Sequence, residues 1–194
     1  MGEDREERSP GRMVLISGPS GCGKSTIIQR LLADECVEFS VSATTRPIRE
    51  GETDGVDYHF LSAKEFRTKV EEGAFIEWAE VYGRLYGTLR APMEAAIESG
   101  RVFLIEIDVQ GALQLRALGE PGVYVFIAPP SFEELRRRLS ERGTESPEAL
   151  ERRLKKAEDE YRDRVKYDHV VINDQLNKAV AEVRVLAGLE ESAS

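Results

Sequence analysis

Gly18-Pro19-Ser20-Gly21-Cys22-Gly23-Lys24-Ser25 stands between an apolar run, Met13 to Ile16, and a stretch of helical spacing that begins at Ser25. Glycine, four residues, then Gly-Lys-Ser is the pattern of a phosphate-binding loop. Small residues let consecutive backbone N–H groups turn inward, and the helix that follows aims its positive end into the same cavity. An anion belongs there. In such a loop Lys24 is expected to reach the β- and γ-phosphates of a nucleoside triphosphate, and the Ser25 hydroxyl to ligate the accompanying Mg²⁺.

Outward from the loop, residues 1–12 read as a charged, disordered tail, Met13 to Ser17 as a buried parallel strand, and Lys24 to Ala33 as a helix. Phe39 to Ser42 alternates apolar and polar, which predicts a half-exposed strand. Arg46-Pro47-Ile48-Arg49 is a loop presenting two arginines, because a residue before proline is held extended. Tyr58 to Leu61 reads as a short strand, and Ser62 with Glu65 as a capping box opening a helix that ends at Gly73. Phe75 to Val81 and Leu85 to Leu89 read as strands around a turn at Gly83-Arg84, and Ala91 to Ser99 as a helix. Val102 to Asp108 and Val123 to Ile127 are buried strands, with a helix from Val109 to Leu118 between them. Charged helices follow over Phe132 to Arg142 and Pro147 to Arg164, then a core strand from His169 to Asn173 and a helix from Leu176 to Leu189. Strands alternating with helices predict an α/β fold of the P-loop NTPase type, a parallel sheet covered on both faces with ligands beyond the strands' carboxyl ends. Two stretches, 38–98 and 133–160, interrupt that alternation. The core is then assembled from 13–37, 99–132 and 161–194.

The chain has 194 residues, enough for one such core with insertions, and its formal charge of -9 argues against general nucleic-acid binding. An anionic ligand must therefore meet a local group of cations. Two cysteines, Cys22 and Cys36, make no metal-ligand spacing and suggest free thiols in a cytoplasmic protein. No apolar run approaches the length of a membrane span, and the charged start is unlike a secretory signal. Cys22 lies at a helix N-terminus, which can lower a thiol pKa and predicts sensitivity to oxidation.

A longer series of motifs resembles the guanylate kinase family: Phe39 to Glu52, Asp57-Tyr58, Phe75 to Ala79, Tyr86-Gly87-Thr88 and Glu106 to Gly111, in that order, with similarity from Met13 to about Leu186. The resemblance implies transfer of the γ-phosphoryl group of ATP to GMP, with Mg²⁺. It makes 38–98 a GMP-binding insertion and 133–160 a lid, both expected to close over the substrates, in a monomer or small homo-oligomer. Guanylate-kinase-like scaffold modules share the fold but bind peptides, having lost parts of the loop that is intact here. A P-loop kinase for another acceptor is the other alternative.

The resemblance also implies site residues. ATP would meet Gly18, Pro19, Ser20, Gly21, Cys22, Gly23, Lys24, Ser25 and Thr26, with Asn173 near the adenine. Asn173 could equally cap the helix that follows. For GMP it implies Ser42, Arg46, Arg49, Glu52, Tyr58, Glu77, Tyr86, Thr88 and Glu106. Guanine offers donors at N1 and N2 and an acceptor at O6, so carboxylates from Glu77 and Glu106 and hydroxyls from Ser42 and Thr88 match its edge. Arg46 and Arg49 can fork onto the monophosphate, Tyr58 and Tyr86 can donate to it, and Glu52 either touches substrate or orients an arginine. Arg138, Arg142 and Arg153 match lid arginines that join Lys24 in neutralising the transferring phosphate, while Asp108 completes the metal environment with Ser25. His59 and His169 read as structural.

Overall fold

Val14 and Ile16 are buried against one face of a central sheet, and Met13 and Leu15 against the other, so the run before the phosphate loop is covered from both sides. The computed structural model describes residues 11–81, 83–141 and 147–189. Its chain order is β1 (Arg12–Ser17), α1 (Lys24–Leu31), β2 (Val37–Phe39), β3 (Ala43–Thr44), β4 (His59–Phe60), α2 (Ala63–Glu71), β5 (Phe75–Val81), β6 (Arg84–Leu89) and α3 (Arg90–Glu98). There follow β7 (Val102–Glu106), α4 (Val109–Ala117), β8 (Val123–Ala128), α5 (Phe132–Ser140), α6 (Pro147–Arg162), a 3-10 turn over Asp163–Lys166, β9 (His169–Ile172) and α7 (Leu176–Ala187).

The larger sheet has the order β2-β7-β1-β8-β9 and is parallel throughout. β1 is central, and the order reverses on either side of it, which opens a crevice beyond its carboxyl end. Ile27, Leu31, Val183 and Ala187 from α1 and α7 close one face, and Met93, Ala96 and Leu115 from α3 and α4 close the other. Each Val, Leu, Ile or Met among them is worth about 1.5–3 kcal/mol when fully buried, so these two layers fix β1 firmly under the loop.

The smaller sheet has the order β4-β3-β6-β5 and lies within 38–98. Its own core stacks Phe66 on Phe75, ring centroids 4.4 Å apart. Ile76 of β5 instead enters the apolar layer of the large sheet, beside Val109 of α4. α5 and α6 pack on each other through Leu135, Leu139, Leu154 and Ala157. The capping box at Ser62 and Glu65 forms as the sequence predicts.

Several expectations are corrected. Phe39 to Ser42 is not one strand: Phe39 ends β2 in the large sheet and Ala43 begins β3 in the small one, so the alternation spans the crossing between them. The strand expected to reach Asp108 stops at Glu106, because Asp108 turns to cap α4 by accepting from the Gly111 N–H at 2.8 Å. β9 is an edge strand, so His169 is exposed rather than in the core. Arg12 already belongs to β1, and residues 1–10 of the expected tail lie outside the described residues.

Candidate functional site

The phosphate loop follows β1 with Gly18, Gly21 and Gly23 all at positive φ. At Gly23, φ is 95° and a Cβ would stand 2.2 Å from Asn173 Nδ2, so only glycine fits. α1 starts at Lys24 with no side-chain cap, which leaves its first-turn N–H groups facing the cleft. Lys24 Nζ donates to the carbonyls of Gly18 at 2.7 Å and Pro19 at 3.1 Å, folding its ammonium over the loop.

Asn173 does not cap α7, whose first flanking residue is Gln175. Its buried side chain instead donates to Cys22 O at 2.8 Å, which ties the end of β9 to the loop. Cys22 itself is fully buried, and burial pushes its thiol pKa up against the opposing pull of the Lys24 charge. The expected low-pKa, oxidation-prone thiol is therefore overturned: desolvation outweighs the helix terminus.

A cleft of about 510 Å³ opens beside the loop, lined by Gly23, Lys24, Ser25 and Thr26, by Glu106 and Asp108 beyond β7, and by one face of α6. That volume suits a nucleotide-sized ligand. Glu106 pairs in register with Ile16, so its exposed carboxylate stands beside the strand that carries the loop. From α6, Arg153 Nη2 donates to Ser20 Oγ at 2.7 Å. Lys156 and Glu160 follow on the same helical face and are paired at 3.5 Å. Burial raises the Glu160 pKa, opposed by Lys156 and by Lys24. Arg138 approaches from α5, donating to Glu134 at 2.8 Å and to Asn173 O at 3.1 Å. Arg142 lies outside the described residues.

The second constellation is on the small sheet. Glu77 and Thr88 are opposed on the antiparallel strands β5 and β6, just past a register shift between Phe75 and Glu77. Thr88 Oγ1 donates to Glu77 Oε1 at 2.7 Å. Burial raises the Glu77 pKa, the Thr88 hydrogen bond opposes the rise, and the Asp108 charge adds to it. The cause is packing: Ile76 and Val109 share one apolar layer, which draws their neighbours Glu77 and Asp108 together. Glu106, in contrast, acts on Cys22 in the phosphate loop. The structure thus brings Asp108, not Glu106, into the field of Glu77.

Arg46 is held as a fork on Glu52, with nitrogen–oxygen distances of 2.7 and 2.9 Å, and its guanidinium lies 5.3 Å from the Tyr58 ring centre. Glu52 also accepts from the Arg49 N–H at 2.8 Å, so both of its oxygens are occupied within the loop. Tyr58 and Tyr86 meet edge to face at 6.1 Å. Arg49 is exposed, and Ser42 is half-buried, its carbonyl accepting from the His59 N–H. Sequence reasoning missed Lys156 and Glu160, although the i, i+3, i+7 spacing from Arg153 puts all three on one helical face.

The family model described as guanylate kinase matches residues 10–188. The chain is 46% identical over 183 residues to guanylate kinase of Symbiobacterium thermophilum, covering 94% of this chain and 87% of that one. It is 47% identical over 180 residues to guanylate kinase of Parasynechococcus marenigrum, covering 92% and 99%. Among solved structures, guanylate kinase from Anaplasma phagocytophilum superimposes with a TM-score of 0.70 at 36% identity, over 95% of this chain and 89% of that one.

Proposed function

The chain belongs to the guanylate kinase family, and from that premise we propose that it transfers the γ-phosphoryl group of ATP to GMP, giving ADP and GDP. The observation that carries the reading is the Glu77–Thr88 pair, which feels the charge of Asp108, a residue that lines the phosphate-loop cleft. A carboxylate beside a hydroxyl complements guanine's two donors and one acceptor, while adenine would leave the carboxylate unpaired. Such hydrogen-bonded sites reject the mismatched base by roughly 10⁴-fold.

The geometry supports one exchange of roles between the two carboxylates after β7. Asp108, in the field of Glu77, is assigned to guanine, and Glu106, beside Ile16 and the loop, to the metal side. Ser42, half-buried, immediately precedes β3 of the same small sheet. Arg46 would meet the GMP phosphate with Arg49 and Tyr86, a role that its fork on Glu52 and its contact with the Tyr58 ring support.

Among the described residues, no group of three or more His, Cys, Asp or Glu side chains could hold a metal alone. The Ser25 hydroxyl and the Glu106 carboxylate are hard oxygen donors and fit Mg²⁺ delivered on the triphosphate, which usually takes only one or two protein ligands. Mg²⁺ would neutralise the β- and γ-phosphate oxygens. Lys24 leaves its loop carbonyls for the same phosphates, and Arg153, Arg138 and Arg142 supply the remaining positive charge. A GMP phosphate oxygen attacks the γ-phosphorus as the bond to the β,γ-bridging oxygen breaks. That oxygen is already ionised, so no general base is needed. The insertion at 38–98 and the lid at 133–160 close to align the two phosphates and exclude water.

The intact Gly23-Lys24-Ser25 and the relatives' names support an enzyme over a peptide-binding module. Free Cys22 and Cys36 support a reducing, cytoplasmic setting, and among the described residues no helix is long and apolar enough to cross a membrane. The test is ADP production from Mg-ATP with GMP, dGMP, AMP, CMP or UMP supplied separately. Turnover with GMP and little with AMP is expected; GMP binding without turnover would favour the interaction module.

A further inference from the structure

Thr45, Trp78 and Leu85 each stand one position along the chain from a residue assigned to GMP, namely Arg46, Glu77 and Tyr86. Neighbours in extended backbone turn to opposite faces, so these three belong to the back of the small sheet, the side covered by α2. Leu85 joins Phe66 of α2 in the apolar cluster there, and its N–H donates to Thr45 Oγ1 at 2.9 Å. All three line one pocket of about 450 Å³ between α2 and the β5–β6 hairpin. A nucleotide-sized ligand fits such a volume.

The pocket has an apolar part, Val70, Leu85 and a Trp78 indole left 47% exposed, and two charged walls. Each wall carries one arginine and one glutamate: Arg67 and Glu71 on α2, Arg84 and Glu80 on the hairpin. Among the described residues, no hydrogen bond, ion pair or ring contact engages the side chains of these four or the indole. Arg67 and Glu71 are four apart on one helix, the spacing at which Arg137 and Glu141 do pair. Both cations and both anions therefore face the pocket uncommitted.

We propose that this pocket is a second guanine-nucleotide site, back to back with the face that takes GMP. The indole gives a base a flat surface to stack on. Arg67 and Arg84 present forked donors that match phosphate oxygens. Glu71 and Glu80 accept from the N1 and N2 donors of guanine, where adenine shows an acceptor at N1. A simple anion would be repelled by the two carboxylates, and a simple cation by the two arginines. A guanine nucleotide meets both, because its base end donates and its phosphate end accepts. The reaction proposed above forms GDP, which has this chemistry; the pocket itself needs no turnover to bind it.

Trp78 is the one tryptophan in the chain, so its emission reports on the pocket directly. The probe is GDP without ATP, added to wild type and to the Arg67→Ala/Arg84→Ala double variant, whose exposed, unpartnered side chains can be cut back without unfolding the chain. Equilibrium dialysis should count one more GDP on wild type than on the variant. GDP should quench Trp78 in wild type, and the variant should lose that quenching while keeping kcat and the GMP KM within about twofold. Glu71→Gln/Glu80→Gln should weaken the arginine-dependent binding of GDP about tenfold. Equal GDP counts on wild type and the arginine variant, quenching that survives the arginine substitutions, or arginine-dependent quenching by ADP as strong as that by GDP each overturns the proposal. The choice of guanine rests on the phosphoryl-transfer reading, and the two fail separately. Arginine-dependent GDP binding without GMP-dependent turnover would sink the enzyme and leave the pocket, and turnover with equal GDP counts would do the reverse.

Discussion

Glu77 and Thr88 oppose each other on antiparallel strands, and the Thr88 hydroxyl donates to the Glu77 carboxylate at 2.7 Å in a half-buried position. Glu77→Gln keeps an oxygen for Thr88 but replaces an acceptor that guanine needs with an amide donor. GMP kcat/KM should fall by at least about 10²-fold, with the ATP KM nearly unchanged. An unchanged GMP KM would count against the assignment. Because burial raises this carboxylate's pKa, its charge disfavours the fold, and the stability present below the ordinary carboxylate range is lost as pH rises through the folded pKa. The variant should therefore melt higher than wild type at pH 7, and the difference should close below about pH 4.

The Arg46–Glu52 fork sets a second expectation. Hydrogen bonding by Arg46 foremost, then the Arg49 N–H, lowers the Glu52 pKa, so the carboxylate stays charged while the guanidinium stays aimed over Tyr58. Glu52→Gln breaks the bidentate geometry without emptying the space. Steady-state kinetics should show the GMP KM rising about tenfold while the ATP KM holds. Equal effects on both substrates would mean that Glu52 supports the fold rather than the monophosphate site.

Lys24→Ala removes an ammonium that the ligand-free loop already accommodates on Gly18 O and Pro19 O. Turnover should fall by at least about 10²-fold, since the charge is needed only when phosphates develop theirs. Circular dichroism and melting temperature should stay close to wild type. Near-normal turnover would sink the role.

The phosphate loop was legible because its geometry is local: three glycines at positive φ and a helix start are written in adjacent residues. The alternation of buried strands with helices was legible for a similar reason. Phe39 to Ser42 misled because a period of two persists across the junction between two sheets. The positions of Glu106 and Asp108 depend on where the backbone leaves β7 and on Ile76 joining the apolar layer that also holds Val109, from elements distant in sequence. Asn173 likewise chose the Cys22 carbonyl over capping α7 through tertiary proximity.

Asp168 fastens two elements away from the cleft: Arg116 Nη2 of α4 donates to Oδ1 at 2.5 Å and the Tyr124 N–H of β8 to Oδ2 at 2.9 Å. Arg116 foremost holds its pKa below the usual carboxylate value. A depressed carboxylate contributes stability above its unfolded pKa and loses it as pH falls through the folded one. Asp168→Asn should cost about 1–2 kcal/mol at pH 7 by urea denaturation. The gap should narrow below about pH 4, where wild type also loses the charge. A pH-independent difference would assign the effect to packing instead.

The two thiols should separate cleanly. Cys22 is fully buried with its pKa raised, foremost by desolvation, whereas Cys36 is exposed. The thiolate is the reactive form, so a water-soluble thiol reagent at pH 7 should modify Cys36 and leave Cys22 protected until the loop opens. Mass spectrometry of the folded protein should find a single adduct, lost in Cys36→Ser, with GMP-dependent turnover retained after modification. Rapid labelling of Cys22 in the native state would show that the loop opens far more often than its tie to Asn173 implies, and would restore the oxidation sensitivity that a helix terminus alone suggests.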